Sequence, residues 1–213
     1  MQRLRINFSR GEEVKFLSHL DLMRFWEKAL RRARMPLAYS EGFSPHPRIS
    51  IAAPLSIGVT SNAEQMDILL NQWISPETFT SLVSKQLPPG IELLKATAVG
   101  LNEPSLQSRV RFAEYNVGVK TSMNAEQIAL ALQTLLAKKE IPWHHYRDTG
   151  VRHYDIRALI DNIWIITIQD HLCILGMRLH FGSSGAGRPE QVARVLGFMQ
   201  RPYSIQRTRL LLE

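Results

Sequence analysis

Residues 18–58 read SHLDLMRFWEKALRRARMPLAYSEGFSPHPRISIAAPLSIG, and they set the pattern for the rest of the chain. Ser18 is placed to cap a helix, and Asp21 three residues on can return the hydrogen bond as a short-armed capping box. From His19 to residue 34, Leu22, Trp26, Ala29 and Ala33, flanked by Met23 and Leu30, recur at helical spacing and form one apolar stripe. Arg24, Lys28, Arg31 and Arg32 fall on the other side, so the wet face of this helix is cationic. Pro36 stops it. Gly42 then permits a positive φ, while Pro45 and Pro47 hold Ser44 and His46 extended. A stiff Ser-Pro-His-Pro-Arg segment therefore presents His46 and Arg48 just before the strand-like run 49–53.

Working outward, RLRINF (3–8) alternates as a first strand, 37–53 supplies a second around its loop, and 65–70 a third. Pro76 behind Ser75 opens a helix that Pro88, Pro89 and Gly90 close, and 91–99 reads as a fourth strand. The order is βαββαβ. Residues 100–108, GLNEPSLQS, form the best linker. Beyond them the order returns: strand 109–120, helix 124–138, strand 142–157, strand 163–168 paired with 172–181 across the turn at 169–171, helix 189–199 and strand 203–212. The expected class is α+β, with two tandem ferredoxin-like (βαββαβ) units, residues 1–104 and 105–213, the second carrying an extended hairpin.

With 45% hydrophobic and 21% charged residues, the 213-residue chain can bury two cores and does not read as disordered. No run approaches the roughly 18 consecutive apolar residues of a membrane span, and MQRLRINFSRGEE lacks the apolar centre of a signal peptide. A cytoplasmic protein without a membrane partner is expected. The net charge of +7 and pI near 9.9 favour a polyanionic partner, nucleic acid first, then an anionic surface or an acidic protein patch. Residues 1–100 carry 12 Lys and Arg against 9 Asp and Glu, and residues 101–213 carry 14 against 10, so neither half is a basic tail. Cys173 is the one cysteine, which excludes an internal disulfide and a cysteine zinc site; within the apolar run 172–175 it reads as a buried thiol.

Several constellations carry candidate chemistry, each beside a structural alternative. The basic helix, extended by Arg34 and Arg48, can track phosphates, or be a solvated face. His46, His19 and Tyr39 contain the acid and base types that a metal-independent ribonuclease needs, or serve as contact and structural residues. His145, His153 and Asp155 share a side of an extended segment beside His144, but too far apart for one ion on a regular strand, so no metal is expected. Asp155 can orient Arg152 or Arg157 toward an anion, or form a salt-bridged strand end. GSSGAGRPEQV (182–192), with Arg188, can receive a phosphate on free amides or simply connect a strand to a helix; it is neither a Walker loop nor a dinucleotide fingerprint. Trp73, Trp143, Trp164, Phe79, Phe112 and Phe198 are expected in cores, which leaves Phe43 as the base-stacking aromatic, or as part of an apolar contact with a protein.

The order SHLDL (18–22), ALRRA (29–33), GFSPHPRIS (42–50) and LSIGVTSNAEQMDI (55–68), with VRHYDIRALI (151–160) and GRPEQV (187–192), resembles the radical-SAM-linked domain family of bacteria. Members are fused to, or encoded beside, radical SAM enzymes, often near genes for ribosomal proteins and an RNA-processing nuclease. The resemblance implies a radical SAM enzyme as partner. A single cysteine cannot hold a conventional radical SAM cluster, so this chain brings no iron chemistry of that kind and no cofactor is expected. The helix and glycine loop are also similar to the ferredoxin-like RNA-binding proteins of CRISPR systems. The resulting expectation is a non-catalytic partner that presents structured RNA, tRNA or rRNA, through Arg24, Lys28, Arg31, Arg32, Phe43, His46, Arg48, Arg157 and Arg188. A protein adaptor without RNA contact, and an endonuclease using His46, are the alternatives.

Overall fold

A computed structural model describes residues 1–147, 150–182 and 185–213, and of these all side chains but those of 145–147 and 152. It divides the chain into two compact units, Met1–Val110 with Leu212–Glu213, and Arg111–Leu211. Among the described residues no helix is long and apolar enough to cross a membrane.

In the first unit, β1 (Gln2–Arg10) leads through a 3-10 turn to α1 (His19–Arg32), then β2 (Ile49–Ile51), β3 (Thr60–Leu70), α2 (Pro76–Ser84), β4 (Ile91–Val99) and the short α3 (Leu106–Arg109). The strands lie in the order β4-β1-β3-β2, each pair antiparallel, with Ile6 opposite Met66 and Ala96. Period-two alternation on β1 sends Leu4, Ile6 and Phe8 fully into the core, where the α1 stripe of Leu22, Trp26 and Leu30 covers them. Phe8 and Trp26 meet edge to face, ring centroids 5.0 Å apart. Phe79 and Val83 on α2 close the same core.

The Ser18 cap read from the sequence forms, but Asp21 takes the Ser18 hydroxyl and not the amide that a capping box would use. Ser18 Oγ accepts from the Asp21 amide at 3.1 Å, and the Asp21 carboxylate takes the Ser18 hydroxyl at 2.6 Å. Ser75 accepts from the Thr78 amide ahead of α2. α1 ends before Pro36 can act: Arg34 adopts φ 56°, its amide bonds to the Arg31 carbonyl, and the Met35 amide reaches back to Leu30, each at 3.0 Å. That is a Schellman closure with arginine where glycine is usual.

The polar side of β1 is not solvated as alternation alone implies. Asp67 on β3, only 1% exposed, accepts from Arg3 through Nε and Nη2 and from Arg5 through Nε at 2.9 Å. The Asp67 hydrogen bond raises the Arg5 pKa further above its ordinary value, against the opposing effect of burial. Arg3 also donates to the carbonyls of Glu103 and Pro104, which ties the polar stretch 100–108 down onto the first unit.

In the second unit, β5 (Val110–Lys120) is followed by α4 (Ala125–Ala137), β6 (Pro142–Arg147), β7 (Gly150–Asp155), a 3-10 turn, β8 (Ile160–Gln169), β9 (Leu172–Gly182), β10 (Gly185–Ala186), α5 (Pro189–Val195) and β11 (Ser204–Leu212). The strands run β11-β5-β9-β8, with β10 against the end of β9. α4 starts with a full capping box, Asn124 and Gln127 exchanging two bonds of 2.9 Å. Cys173 on β9 is buried, which pushes its thiol pKa up. Gly176 admits the Trp164 ring so closely that an added Cβ would stand 2.1 Å from Cε2.

The segment expected as one strand over 142–157 is instead the β6–β7 hairpin, a separate two-stranded sheet. Its ends are stapled by Asp155, whose Oδ1 accepts from the Ile141 amide at 2.7 Å and the Arg157 amide at 2.9 Å. The β8–β9 hairpin turns through Asp170 and His171, both with positive φ, 46° and 64°, as a two-residue turn of this kind demands.

Candidate functional site

The wet face of α1 is as cationic as its spacing implies. Arg24, Lys28, Arg31 and Arg32 are all exposed. Intrahelical partners temper two of them: Arg24 stands 3.7 Å from Asp21, and Arg31 Nη2 is 2.9 Å from Glu27 Oε1. Arg32 reaches off the helix to Gln86, through Nε to the side chain at 3.3 Å and Nη2 to the carbonyl at 3.0 Å. Lys28 keeps its charge in solvent.

The 39–48 loop is a closed excursion. Tyr39 and Pro47 bridge antiparallel, the Arg48 amide donates to the Ala38 carbonyl at 2.8 Å, and the Ser40 amide donates to the His46 carbonyl at 2.9 Å. Ser40 Oγ accepts from the His46 amide at 3.0 Å. At the tip, Gly42 takes φ 115° with open space around it, so the backbone conformation rather than crowding calls for glycine. Phe43 beside it is fully exposed, and His46 and Arg48 are exposed too. The Arg31 guanidinium lies 5.9 Å from the centre of the Tyr39 ring, so helix and loop base meet.

His19 opens α1, and Tyr39 and His46 stand in the 39–48 loop. All three are exposed, and among the described residues no hydrogen bond or ion pair links them to one another.

The second unit uses its expected residues differently. Arg157 is spent inside the unit, with Nε on the Leu136 carbonyl at 3.2 Å and Nη1 on the Ile160 carbonyl at 2.7 Å, so it clamps the end of α4 instead of facing an anion. Asp155 accepts from the backbone amides of Ile141 and Arg157. Arg188 is exposed at the cap of α5, a helix of 7 residues too short to offer a strong dipole, and Gly187 serves packing: a Cβ there would lie 2.8 Å from that of Leu179. Ser183 and Ser184 of the glycine-rich stretch, and the side chains of His145 and Arg152, lie outside the described residues. The antiparallel register sets His144, not His145, opposite His153. Among the described residues no group of three or more His, Cys, Asp or Glu side chains is placed to hold a metal ion.

Two surface features escape the sequence pattern. Trp73, expected in the core, is 73% exposed in the turn after β3, held between Asn71, which bonds to the Pro36 and Leu37 carbonyls, and Ile74, which exchanges two bonds with Gln2. Phe16, Leu20 and Ile57 are also exposed, and the bond from the Gly58 amide to the Lys15 carbonyl at 2.8 Å brings the segments of Phe16 and Ile57 together.

Solved structures share this fold at low identity. A chain of the crystal structure of a Cbf5-Nop10-Gar1 complex is similar with TM-score 0.53 at 11% identity, covering 97% of this chain and 48% of that one. A chain of an H/ACA RNP bound to a substrate RNA containing 2'-deoxyuridine gives TM-score 0.52 at 12% identity, covering 97% and 47%. The protein thus spans about half the length of the chains it resembles. No curated protein matches its sequence. A family model does match, from the start of β1 into α5: over residues 3–189 the sequence fits the model described as an uncharacterized protein conserved in bacteria (DUF2344), and the chain belongs to that family.

Proposed function

We propose that this protein binds structured RNA, tRNA or rRNA, without cleaving it, through α1 and the 39–48 loop, and presents it to a radical SAM enzyme. The observation that carries the reading is the meeting of Arg31 with Tyr39, which joins a row of exposed cations to a closed loop bearing Phe43, His46 and Arg48. Arginine and lysine contact phosphates while an exposed aromatic at a stiff tip stacks on a base, the two components of sequence-tolerant RNA binding. The strand order shared by the two units supports reading each as ferredoxin-like, a fold that hosts many functions and so carries no function alone. The H/ACA RNP whose chain shares this fold is bound to a substrate RNA, which is in keeping with this reading. The radical SAM partner rests on the sequence resemblance.

The test is capture of total cellular RNA on purified protein across a salt series, followed by sequencing. Retention of defined RNA species that falls steeply with salt is expected; no retention at low salt overturns the reading. In that event the exposed Phe16, Leu20 and Ile57 favour a second one, a protein adaptor that holds the enzyme through an apolar contact.

A further inference from the structure

Nine residues separate His144 from His153, yet the β6–β7 register sets them directly opposite each other. Their Nδ1 atoms are 2.6 Å apart, the rings meet nearly at right angles, and both side chains are exposed. At that separation one nitrogen carries a proton and the other accepts it, because two facing N–H groups would collide. The two Nδ1 positions therefore converge on one point occupied by a single proton, and an ion that prefers imidazole nitrogen can take its place.

We propose that His144 and His153 form a two-imidazole chelate for a borderline divalent transition ion, Zn²⁺, Ni²⁺ or Cu²⁺, that clamps β6 to β7. Ion binding moves the shared proton to the outer Nε2 of the same ring, so both rings stay neutral and no proton is lost. Zinc-nitrogen bonds of about 2.0–2.1 Å set tetrahedral ligand atoms about 3.3 Å apart, so the rings separate by about 0.7 Å, a small side-chain rotation at an exposed position. Imidazole selects these ions over Mg²⁺ and Ca²⁺, which favour oxygen.

The pair is also held in place. The adjacent register pair is Trp143 and Tyr154, and each is tied to α5: Tyr154 donates to Gln191 Oε1 at 2.7 Å, and the Arg194 guanidinium lies 5.8 Å from the Trp143 ring centre. One residue further, Asp155 staples the hairpin ends. Little freedom remains to be lost when an ion binds. Two protein ligands leave the other coordination positions to solvent, so the site is open and exchangeable, unlike a closed structural zinc centre.

The experiment is calorimetric titration of metal-stripped full-length protein with ZnCl₂ and NiCl₂, with MgCl₂ as control, alongside thermal melts. One equivalent of Zn²⁺ or Ni²⁺ and a raised melting midpoint are expected, with no response to Mg²⁺. His144→Ala and His153→Ala should each abolish the one-equivalent phase while keeping the far-UV spectrum, and His145→Ala should retain it. Survival of that phase in either of the first two variants, or its absence from the unmodified protein, overturns the proposal. Should an alanine variant unfold, His144→Gln and His153→Gln, which keep a polar side chain but bind these ions poorly, repeat the comparison.

Discussion

Replacing Arg31 and Arg32 by glutamine tests the α1 surface most directly. Five exposed cations, Arg24, Lys28, Arg31, Arg32 and Arg48, are available to phosphates. If each neutralises one on a single-stranded loop of the captured RNA, log affinity falls against log salt with a slope of about −3.5, and affinity drops about 130-fold between 50 and 200 mM salt. Losing two contacts reduces the slope to about −2.1 and the drop to about 18-fold. The substitution also removes the Arg31–Glu27 pair, the Arg32–Gln86 bonds and two cations from the last turn of α1, together worth about 1–3 kcal/mol. That is less than the usual stability of about 5–15 kcal/mol, so the variant folds and the comparison is fair. Fluorescence anisotropy with a labelled captured RNA at four salt concentrations gives both slopes, and circular dichroism confirms folding. A folded double variant with the original affinity and slope would refute the assignment.

Asp67→Ala removes the carboxylate that Arg3 and Arg5 share, leaving buried Arg3 with carbonyl partners alone and Arg5 with the longer Glu103 contact; a loss of about 3–5 kcal/mol is expected in urea unfolding, and a loss under about 1 kcal/mol would show that the cluster is not stabilising. Gly176→Ala drives a methyl group into Trp164 and should cost about 1–3 kcal/mol, with Trp164→Leu recovering much of it in a double-mutant cycle; simple additivity would sink the packing argument. Cys173 should resist thiol reagents until the chain unfolds. Because burial raises its folded pKa above the ordinary 9.0, its contribution to stability is intact below that pH and falls as pH rises beyond it, a decline that Cys173→Ala should lessen in denaturant midpoints compared at pH 7.5 and 10.

The elements that periodicity and caps can specify were legible: the α1 stripe, the Ser18 cap and the β1 alternation each follow from spacing and local hydrogen bonding. Pairing was not. Alternation over 142–157 looks the same for one long strand and for two short ones, and a local sign of the break is Gly150, at φ 124°. That single misreading displaced both histidine pairing and the role of Asp155. Arg3 and Arg5 were hidden for a different reason: their cover, residues 103–104, comes from 100 positions away, which no local window registers. Trp73 shows the converse, since a large aromatic near a strand end reads as core until anchored neighbours turn it outward.

The bridge between Tyr39 and Pro47 makes the length of the finger a free variable of the architecture. Residues 40–46 leave and rejoin the body at one place, so insertion or removal beside Gly42 leaves every strand in register and costs only loop closure, about 0.6 kcal/mol for each doubling. Phe43 can in this way be moved outward or inward like the jaw of a caliper, which offers a means of retuning reach toward a different target while the scaffold beneath stays the same.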